Sequence, residues 1–427
     1  MDIHIHKREV STKMKRIFTF SLCFVLAGML LFSCTSCGFR IKAAELSKNY
    51  SRRATDPGTV TEEFKAAMAD FSMSLFKGIV TGDGENDLVS PLSAVICLAM
   101  IANGANGNTK AQMEAAFGMD VDALNESLYA YTSSLYRADD CKLNLADSIW
   151  FRDDENRLCV NDEFLQTNAD WYGAQIYTAP FDQSTCKDIN AWCKRYTDGM
   201  IEKIIDKIDP GTVMYLVNAL AFDAKWAVAY EKTDVRDGQF TSYDGSKKTV
   251  QMLSSEERTY LSADGVKGFA KNYIGDQYSI VALLPDQETD IYEYVNTLDG
   301  AAWMSLWNAR QSSAVSVWMP EFTYTSSMNL NDTLKAMGMT DMFAENADFS
   351  KLGSSSLGGI YCSEVCQKVF IQVDRNGTKA AAVTWGGMKD MAMEEEPPRV
   401  VLDRPFVYAI VDNATGLPIF IGVVTKL

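Results

Sequence analysis

The stretch Gly377-Thr378-Lys379-Ala380-Ala381-Ala382-Val383-Thr384 decides the fold of this chain. It follows an alternating apolar run, Val369-Phe370-Ile371-Gln372-Val373, and opens a loop that ends near Arg399. A glycine, a small polar residue and three alanines carry no large side chain that would resist entry into a sheet. A loop of this composition can leave solvent and become a buried strand.

The 427 residues set a soft prior of two or three domains. A hydrophobic content of 47% is ample for a large core. The formal net charge is -16, and residues 1–33 contribute +3 (Lys7, Arg8, Lys13, Lys15 and Arg16 against Asp2 and Glu9), which leaves -19 for the rest. So acidic a chain repels nucleic acid and anionic membrane surfaces, and neither is expected as a partner. The two histidines, His4 and His6, both precede an apolar leader. Once that leader is removed, a Ser-His triad, a Cys-His dyad and a His-ligated zinc site are all excluded.

The N-terminus reads as a targeting segment. Lys13-Met14-Lys15-Arg16 is a basic region, and the apolar stretch over 17–32 is short for a membrane span. Met14 is a candidate start. Leu31-Phe32-Ser33-Cys34 looks like a bacterial lipobox, so residues 1–33 are expected to be cut away and Cys34 acylated. A plain cleaved signal and a stop-transfer anchor are the alternatives. Thr35 offers no acidic sorting signal, which points to the cell envelope as an outer-membrane lipoprotein, with secretion as the other destination. Residues 34–60 are expected to form a polar tether. Seven cysteines fall in the globular part, an odd number without regular spacing, so no disulfide framework is expected. Cys97 lies in an apolar run and reads as a buried small hydrophobe. Cys362 and Cys366 share one strand face if the strand is regular, too far apart to bridge.

Thr59-Val60-Thr61-Glu62 fits a capping box, followed by Phe64, Ala67, Met68, Phe71 and Leu75 at helical spacing. Thr109 with Gln112 reads as the cap of a later helix, and residues 188–205 as one amphipathic helix with Ile189, Trp192, Ile201 and Ile205 inside. Residues 330–337 form another, closed by Gly338. Strands are expected over 146–151, 214–222, 278–284, 314–319, 369–373, 406–411 and 419–424. Gly82-Asp83-Gly84-Glu85 has acidic residues near calcium-loop spacing and reads as an ordinary turn. No linker splits the chain, so 61–427 is expected to be one α+β domain, overriding the length prior.

Over roughly residues 62–427, short motifs recur in an order that resembles the serpin family. Asn86-Asp87-Leu88-Val89-Ser90-Pro91-Leu92-Ser93 and Gly104-Ala105-Asn106-Gly107-Asn108-Thr109 resemble its second helix and exit. Leu216-Val217-Asn218-Ala219 with Phe222, Lys225 and Trp226 resembles its central strand. Leu283-Leu284-Pro285, Met319-Pro320-Glu321-Phe322 and Met337-Gly338-Met339 follow, then the proximal hinge quoted above. Leu402-Asp403-Arg404-Pro405-Phe406 matches the C-terminal signature and Phe420-Ile421-Gly422 closes it. The resemblance implies three β-sheets, eight or nine helices and an exposed reactive loop over about 375–399. It implies a monomeric inhibitor without cofactor or metal, whose covalent targets are serine or papain-like cysteine proteases. A protease that cuts the loop becomes acylated, and the loop enters the main sheet before deacylation, an order switch that releases stored strain. About 15 residues at ~3.3 Å each would carry the acylated end ~50 Å.

Strand alternation places Thr378, Ala380, Ala382, Thr384 and Gly386 on the inward face of an inserted loop, all small, and Lys379, Ala381, Val383 and Trp385 on the other. Two departures from the family pattern stand out. Arg375 replaces a customary Glu, and Glu321 replaces a customary Lys, so an ion pair where the loop enters the sheet would survive with its charges reversed. A third is Gln367, which replaces the histidine of a buried polar cluster otherwise matched by Ser90, Ser93 and Asn218; Gln can both donate and accept. Loop length places the scissile bond at Met391-Ala392, with Lys389 and Met393 as alternatives. A Met there suits elastase-, chymotrypsin- or subtilisin-like proteases. The competing function is a non-inhibitory member acting as a cell-envelope binding protein. An enzyme is disfavoured, since no nucleophile–base pair can be assembled.

Overall fold

The computed structural model describes residues 41–135, 140–378 and 396–427. The lipidation residue Cys34, most of the loop (Lys379, Ala380, Ala381, Ala382, Val383, Thr384) and the Met391-Ala392 bond lie outside the described residues. Ala43–Leu427 form one compact unit. The folded unit therefore starts before residue 61, and 43–50 are docked rather than a free polar tether. Ala44–Glu45 pair with Thr178 and Tyr177, and the Ala43 amide donates to Asp188 Oδ2 at 2.8 Å.

Among the described residues there are nine α-helices, three large sheets and two short ribbons. Helix α1 (Glu62–Ile79) is capped by Thr61, whose hydroxyl accepts from the Phe64 amide. That is two residues beyond the Thr59 box. Its periodic face, Phe64, Met68, Phe71 and Leu75, is buried. Helix α2 (Pro91–Ala102) is apolar all round and buried, with Ser90 as N-cap and Pro91 at its first position. Helix α3 (Gly107–Phe117) starts at Asn106; Thr109 and Gln112 instead accept from the Asp348 and Asp341 amides, fastening a distant loop.

Helix α4 (Gln183–Tyr196) stops nine residues short of the 188–205 expectation. Thr197 takes over, its hydroxyl donating to the Cys193 carbonyl and accepting from the Ile201 amide. Asp198 at φ +49° and Gly199 at φ +84° then turn the chain away. Ile201 is buried all the same, but off the helix.

The main sheet contains β1 (Cys141–Arg152), β2 (Gln175–Ala179) and β3 (Met214–Lys225), in the order Ala44–Glu45, β2, β1, β3. β1 runs parallel to β2 and antiparallel to β3, with Asp147 opposite Asn218. A separate antiparallel pair, β4 (Phe322–Asn329) and β5 (Cys366–Val373), follows. Beyond it, β6 (Gly377–Thr378) returns to β3, opposite Lys225 and Ala224. Behind these lies a six-stranded antiparallel sheet whose centre, Tyr278–Pro285, Phe406–Asp412 and Pro418–Val424, is buried at every position. A four-stranded sheet holds Arg399–Val401, Val315–Pro320, Lys247–Glu257 and Val235–Thr241. Cys362 lies outside β5, so the regular-strand premise for the Cys362 and Cys366 spacing does not hold. The seven described cysteines are all free.

Candidate functional site

β3 and β5 flank a seam. Among the described residues they belong to different hydrogen-bonded sheets, although the chain crosses from one to the other in three residues, Asp374, Arg375 and Asn376. The Asp374 amide donates to the Gly377 carbonyl at 3.0 Å, and Gly377 donates back at 3.3 Å, closing the turn. Gly377 has φ +147°, and a Cβ there would lie 2.2 Å from the Ala224 carbonyl oxygen and 2.8 Å from Lys225 Cα. Glycine is required on both counts.

Residues just beyond β3 hold this turn by its carbonyls. The Trp226 indole Nε1–H donates to Asp374 O at 2.8 Å and its amide to Asn376 O at 3.3 Å; the Tyr230 amide donates to Arg375 O at 3.2 Å. Trp226 stacks on Tyr273 with centroids 4.5 Å apart. The Tyr273 hydroxyl lies 2.8 Å from Thr378 Oγ1, and Thr378 is buried. The first loop residue of the inward parity thus packs against the interior.

Glu321 and Arg375, the charge-swapped positions, are brought together. The Arg375 amide donates to Glu321 Oε1 at 3.1 Å and its Nε lies 3.8 Å from the same oxygen. The Arg375 side chain is 43% exposed, so the ionic part is worth about 1 kcal/mol or less; the amide bond fixes the turn. Both residues line an open polar cleft with Gln372, Asp374 and Asn376.

Lower in the seam, Gln367 on β5 grips Ser90 at the head of α2. Its Oε1 accepts from the Ser90 amide at 2.8 Å and its Nε2 donates to the Ser90 carbonyl at 2.9 Å. The Ser90 hydroxyl donates to Ile419 O and accepts from the Ser93 amide, so Ser93 joins through the helix cap. Asn218 does not join this pair. Its Nδ2 donates to the buried Asp147 Oδ1 at 2.8 Å across β1 and β3, and its buried Oδ1 has no partner among the described residues. Cys97 on α2 lies beneath β3, its thiol 3.8 Å from the Leu216 carbonyl. Burial first, then the Asp147 charge, pushes that thiol up to about 12, so it is inert at neutral pH. Lys368 Nζ ties β5 to the carbonyl of Lys203, in the segment that leaves α4.

The far end of the loop is anchored elsewhere. Arg399–Val401 run parallel to Ser316, Val317 and Trp318 in the four-stranded sheet. The Arg404 guanidinium then donates to the Pro285 carbonyl. Asp147, Tyr230 and Tyr273 were not picked out by sequence pattern. Asp147 carried one usable signal, a carboxylate between the apolar residues Leu145 and Ala146 and the run Ile149-Trp150-Phe151. Tyr230 and Tyr273 carried none.

A family model described as Serpin (serine protease inhibitor) matches residues 66–427. Human neuroserpin is 28% identical over 375 residues, covering 83% of this chain and 90% of its own. The leukocyte elastase inhibitor of Sus scrofa is 28% identical over 380 residues, covering 84% and 98%. The crystal structure of tengpin, a thermophilic serpin, in the native state superposes with a TM-score of 0.86 at 44% identity, covering 91% of this chain and 100% of the other. The same protein in the latent state gives a lower TM-score, 0.78.

Proposed function

The chain belongs to the serpin family, and from that premise we propose that it is a suicide inhibitor of proteases, cut at Met391-Ala392 and sealed by insertion of its loop between β3 and β5. The observation that carries this reading is the pairing of Gly377 and Thr378 with Lys225 and Ala224, the first two steps of a new strand on the open edge of β3.

Extending that register assigns every later position. Ala380 would lie opposite Phe222, Ala382 opposite Leu220 and Thr384 opposite Asn218, all on the inward face where Ala224 is buried. The two alanines would fit beside large neighbours, and the Thr384 hydroxyl would meet the unsatisfied Asn218 Oδ1. On the outward face Lys379 would lie opposite Asp223. Insertion of an intact loop is opposed by its far anchor, since Arg399–Val401 would have to leave the four-stranded sheet. Cleavage removes that tether. The bond broken is the peptide between Met391 and Ala392. The Met391 carbonyl becomes an ester (or thioester) on the protease nucleophile, and the Ala392 amine leaves with the C-terminal fragment. The freed end then travels with the strand, which displaces the protease active site before water can attack the ester.

A methionine at the cut favours elastase-, chymotrypsin- or subtilisin-like serine proteases, with papain-like enzymes as further targets. Acylation of Cys34 and a cell-envelope location belong to the same proposal. The test is to incubate the full chain with elastase-, subtilisin-, trypsin- and papain-like proteases, then run denaturing gels and mass spectrometry on the released peptide. A complex that survives denaturant, with a peptide starting at Ala392, is the expected result. Clean cleavage without complex and without a rise in thermal stability would favour the binding-protein alternative.

A further inference from the structure

Behind the turn that starts the loop lies a buried charge that the inhibitory reading does not use. Lys271, on the strand Val266–Asn272 of the six-stranded sheet, is 2% exposed. Its ammonium lies 2.8 Å from Glu257 Oε1, at the end of the strand Lys247–Glu257 of the four-stranded sheet. The ion pair therefore joins two sheets in the interior. Glu257 Oε1 also accepts from the Ser255 hydroxyl at 2.6 Å, and Ser255 Oγ lies 3.3 Å from the Tyr230 hydroxyl.

The ammonium also faces two rings. It lies 4.4 Å from the centroid of Tyr230 and 5.5 Å from that of Trp226. These are the residues whose backbone and indole groups hold Asp374, Arg375 and Asn376 by their carbonyls. The two rings meet edge to face at 89°. Burial, with the Glu257 charge adding to it, pushes the Tyr230 phenol well above its ordinary value, so the ring stays neutral toward the cation. A lysine buried in a strand interior is costly unless it is paired and its charge is used, and here its faces are shared between a carboxylate and two aromatic rings.

We propose that Lys271 and Glu257 are positioning residues for loop entry: the Lys271 ammonium orients the Tyr230 and Trp226 rings, and through them the clamp that keeps Gly377 and Thr378 seated on β3. For its effect on inhibition this rests on the suicide-inhibitor reading; the clamp itself does not. Among the described residues, neither is hydrogen-bonded to Gly377 or Thr378. Loss of the cation would free the rings, let the turn carbonyls go, and start insertion from an unseated loop. Acylated protease would then be released by water more often.

The experiment uses the full chain and four variants: Lys271→Met, Glu257→Gln, the double variant Lys271→Met/Glu257→Gln, and Lys271→Arg. Amide hydrogen exchange is followed by mass spectrometry, and the number of inhibitor molecules consumed per protease trapped is counted. Lys271→Met should raise exchange about fivefold, the size of one lost cation–π contact, in peptides spanning 224–231 and 374–378 and not in 278–285 or 406–412. Inhibitor consumption should rise by a similar factor. The double variant removes both buried charges, so it should regain thermal stability yet keep fast exchange at the clamp, because no cation faces the rings. Lys271→Arg should restore both. Exchange that is unchanged, or raised uniformly across both sheets, would overturn the proposal, as would a double variant whose clamp recovers with its stability. If the unaltered chain traps no protease, the inhibitory reading fails while the exchange pattern still decides the clamp.

Discussion

Replacing Gln367 with leucine tests whether the seam is held by the bond between β5 and α2. The side chain is 8% exposed and makes two hydrogen bonds, both to the backbone of Ser90, which is itself 1% exposed. Leucine keeps the volume and removes both partners, so the buried Ser90 N–H is orphaned, while the Ser90 carbonyl keeps only its bond from the Ala94 amide. The orphaned N–H costs about 1–3 kcal/mol and the lost second bond to the carbonyl about 0.5–1.5 kcal/mol. Together they should cost roughly 2–4 kcal/mol, with little cavity contribution because the shapes are close. Since Ser90 is also the N-cap of α2, the damage should spread to the first turn of that helix and not stop at the seam. Urea unfolding of the full chain, with exchange at Ser90, Ser93 and Val369 as local reporters, measures this. Gln367→His should recover part of the loss, since an imidazole can donate and accept, and only above its own titration, where it is neutral. A leucine variant whose first unfolding transition shifts by less than about 0.5 kcal/mol, with Ser90 still protected, would show that the bond is ornamental and the argument wrong.

Gly377→Ala places a Cβ against the Ala224 carbonyl oxygen and forces a φ that only glycine adopts readily; about 1–3 kcal/mol of backbone strain plus the clash should unseat β6, seen as faster exchange at Thr378 and more inhibitor consumed per protease. Charge reversal at both Glu321 and Arg375 should restore most of what either single reversal loses, with a coupling of about 1 kcal/mol or less because Arg375 is partly exposed; strictly additive effects on thermal stability would show two independent charges. Burial raises the Asp87 carboxyl to about 6, against the Thr81 amide that lowers it. A raised folded value means the protonated form is the one favoured by folding, so the contribution is full below about 4 and is lost as pH rises through about 6. Asp87→Asn should therefore raise the thermal midpoint at pH 8 and leave it unchanged near pH 4; the reverse order would contradict the assignment.

Long apolar runs made the six-stranded sheet legible: Tyr278–Pro285 and Pro418–Val424 are buried throughout, and no competing period masks them. Of the hinge, Gly377 and Thr378 are seated on β3 as a strand; the alternating small residues that follow them lie outside the described residues. Boundaries were harder. The helix expected to reach 205 ends at Tyr196 because a threonine side chain competes with the backbone and Asp198 adopts a left-handed conformation, neither of which disturbs the apolar spacing of Ile201. Docking of Ala44–Glu45 depends on an edge of β2 more than a hundred residues away, and two residues carry no pattern. The same holds at the site. Asn218 matched a cluster by resemblance, yet its partner is Asp147, chosen by strand register rather than by motif. Lys271 gave no signal at all, because its pairing with Glu257 exists only once two sheets have met.

The pairing of Asp87–Val89 with Ile421, Gly422 and Val423 has a bearing on how the molecule is made. A chain emerging from the ribosome completes α1 and α2 hundreds of residues before their floor exists. The last hairpin to appear fills the middle of the six-stranded sheet, not its rim. Contacts of such sequence separation close slowly. By the time they do, the residues between Thr378 and Arg399 are already out of the exit tunnel and the edge of β3 is already formed. If that segment inserts as proposed, what keeps it from filling the edge during biogenesis is a race, between seating a strand of small residues and pinning Arg399–Val401 with the C-terminal hairpin behind it. Slower elongation through the final stretch of codons would lengthen the interval in which the wrong contestant can win.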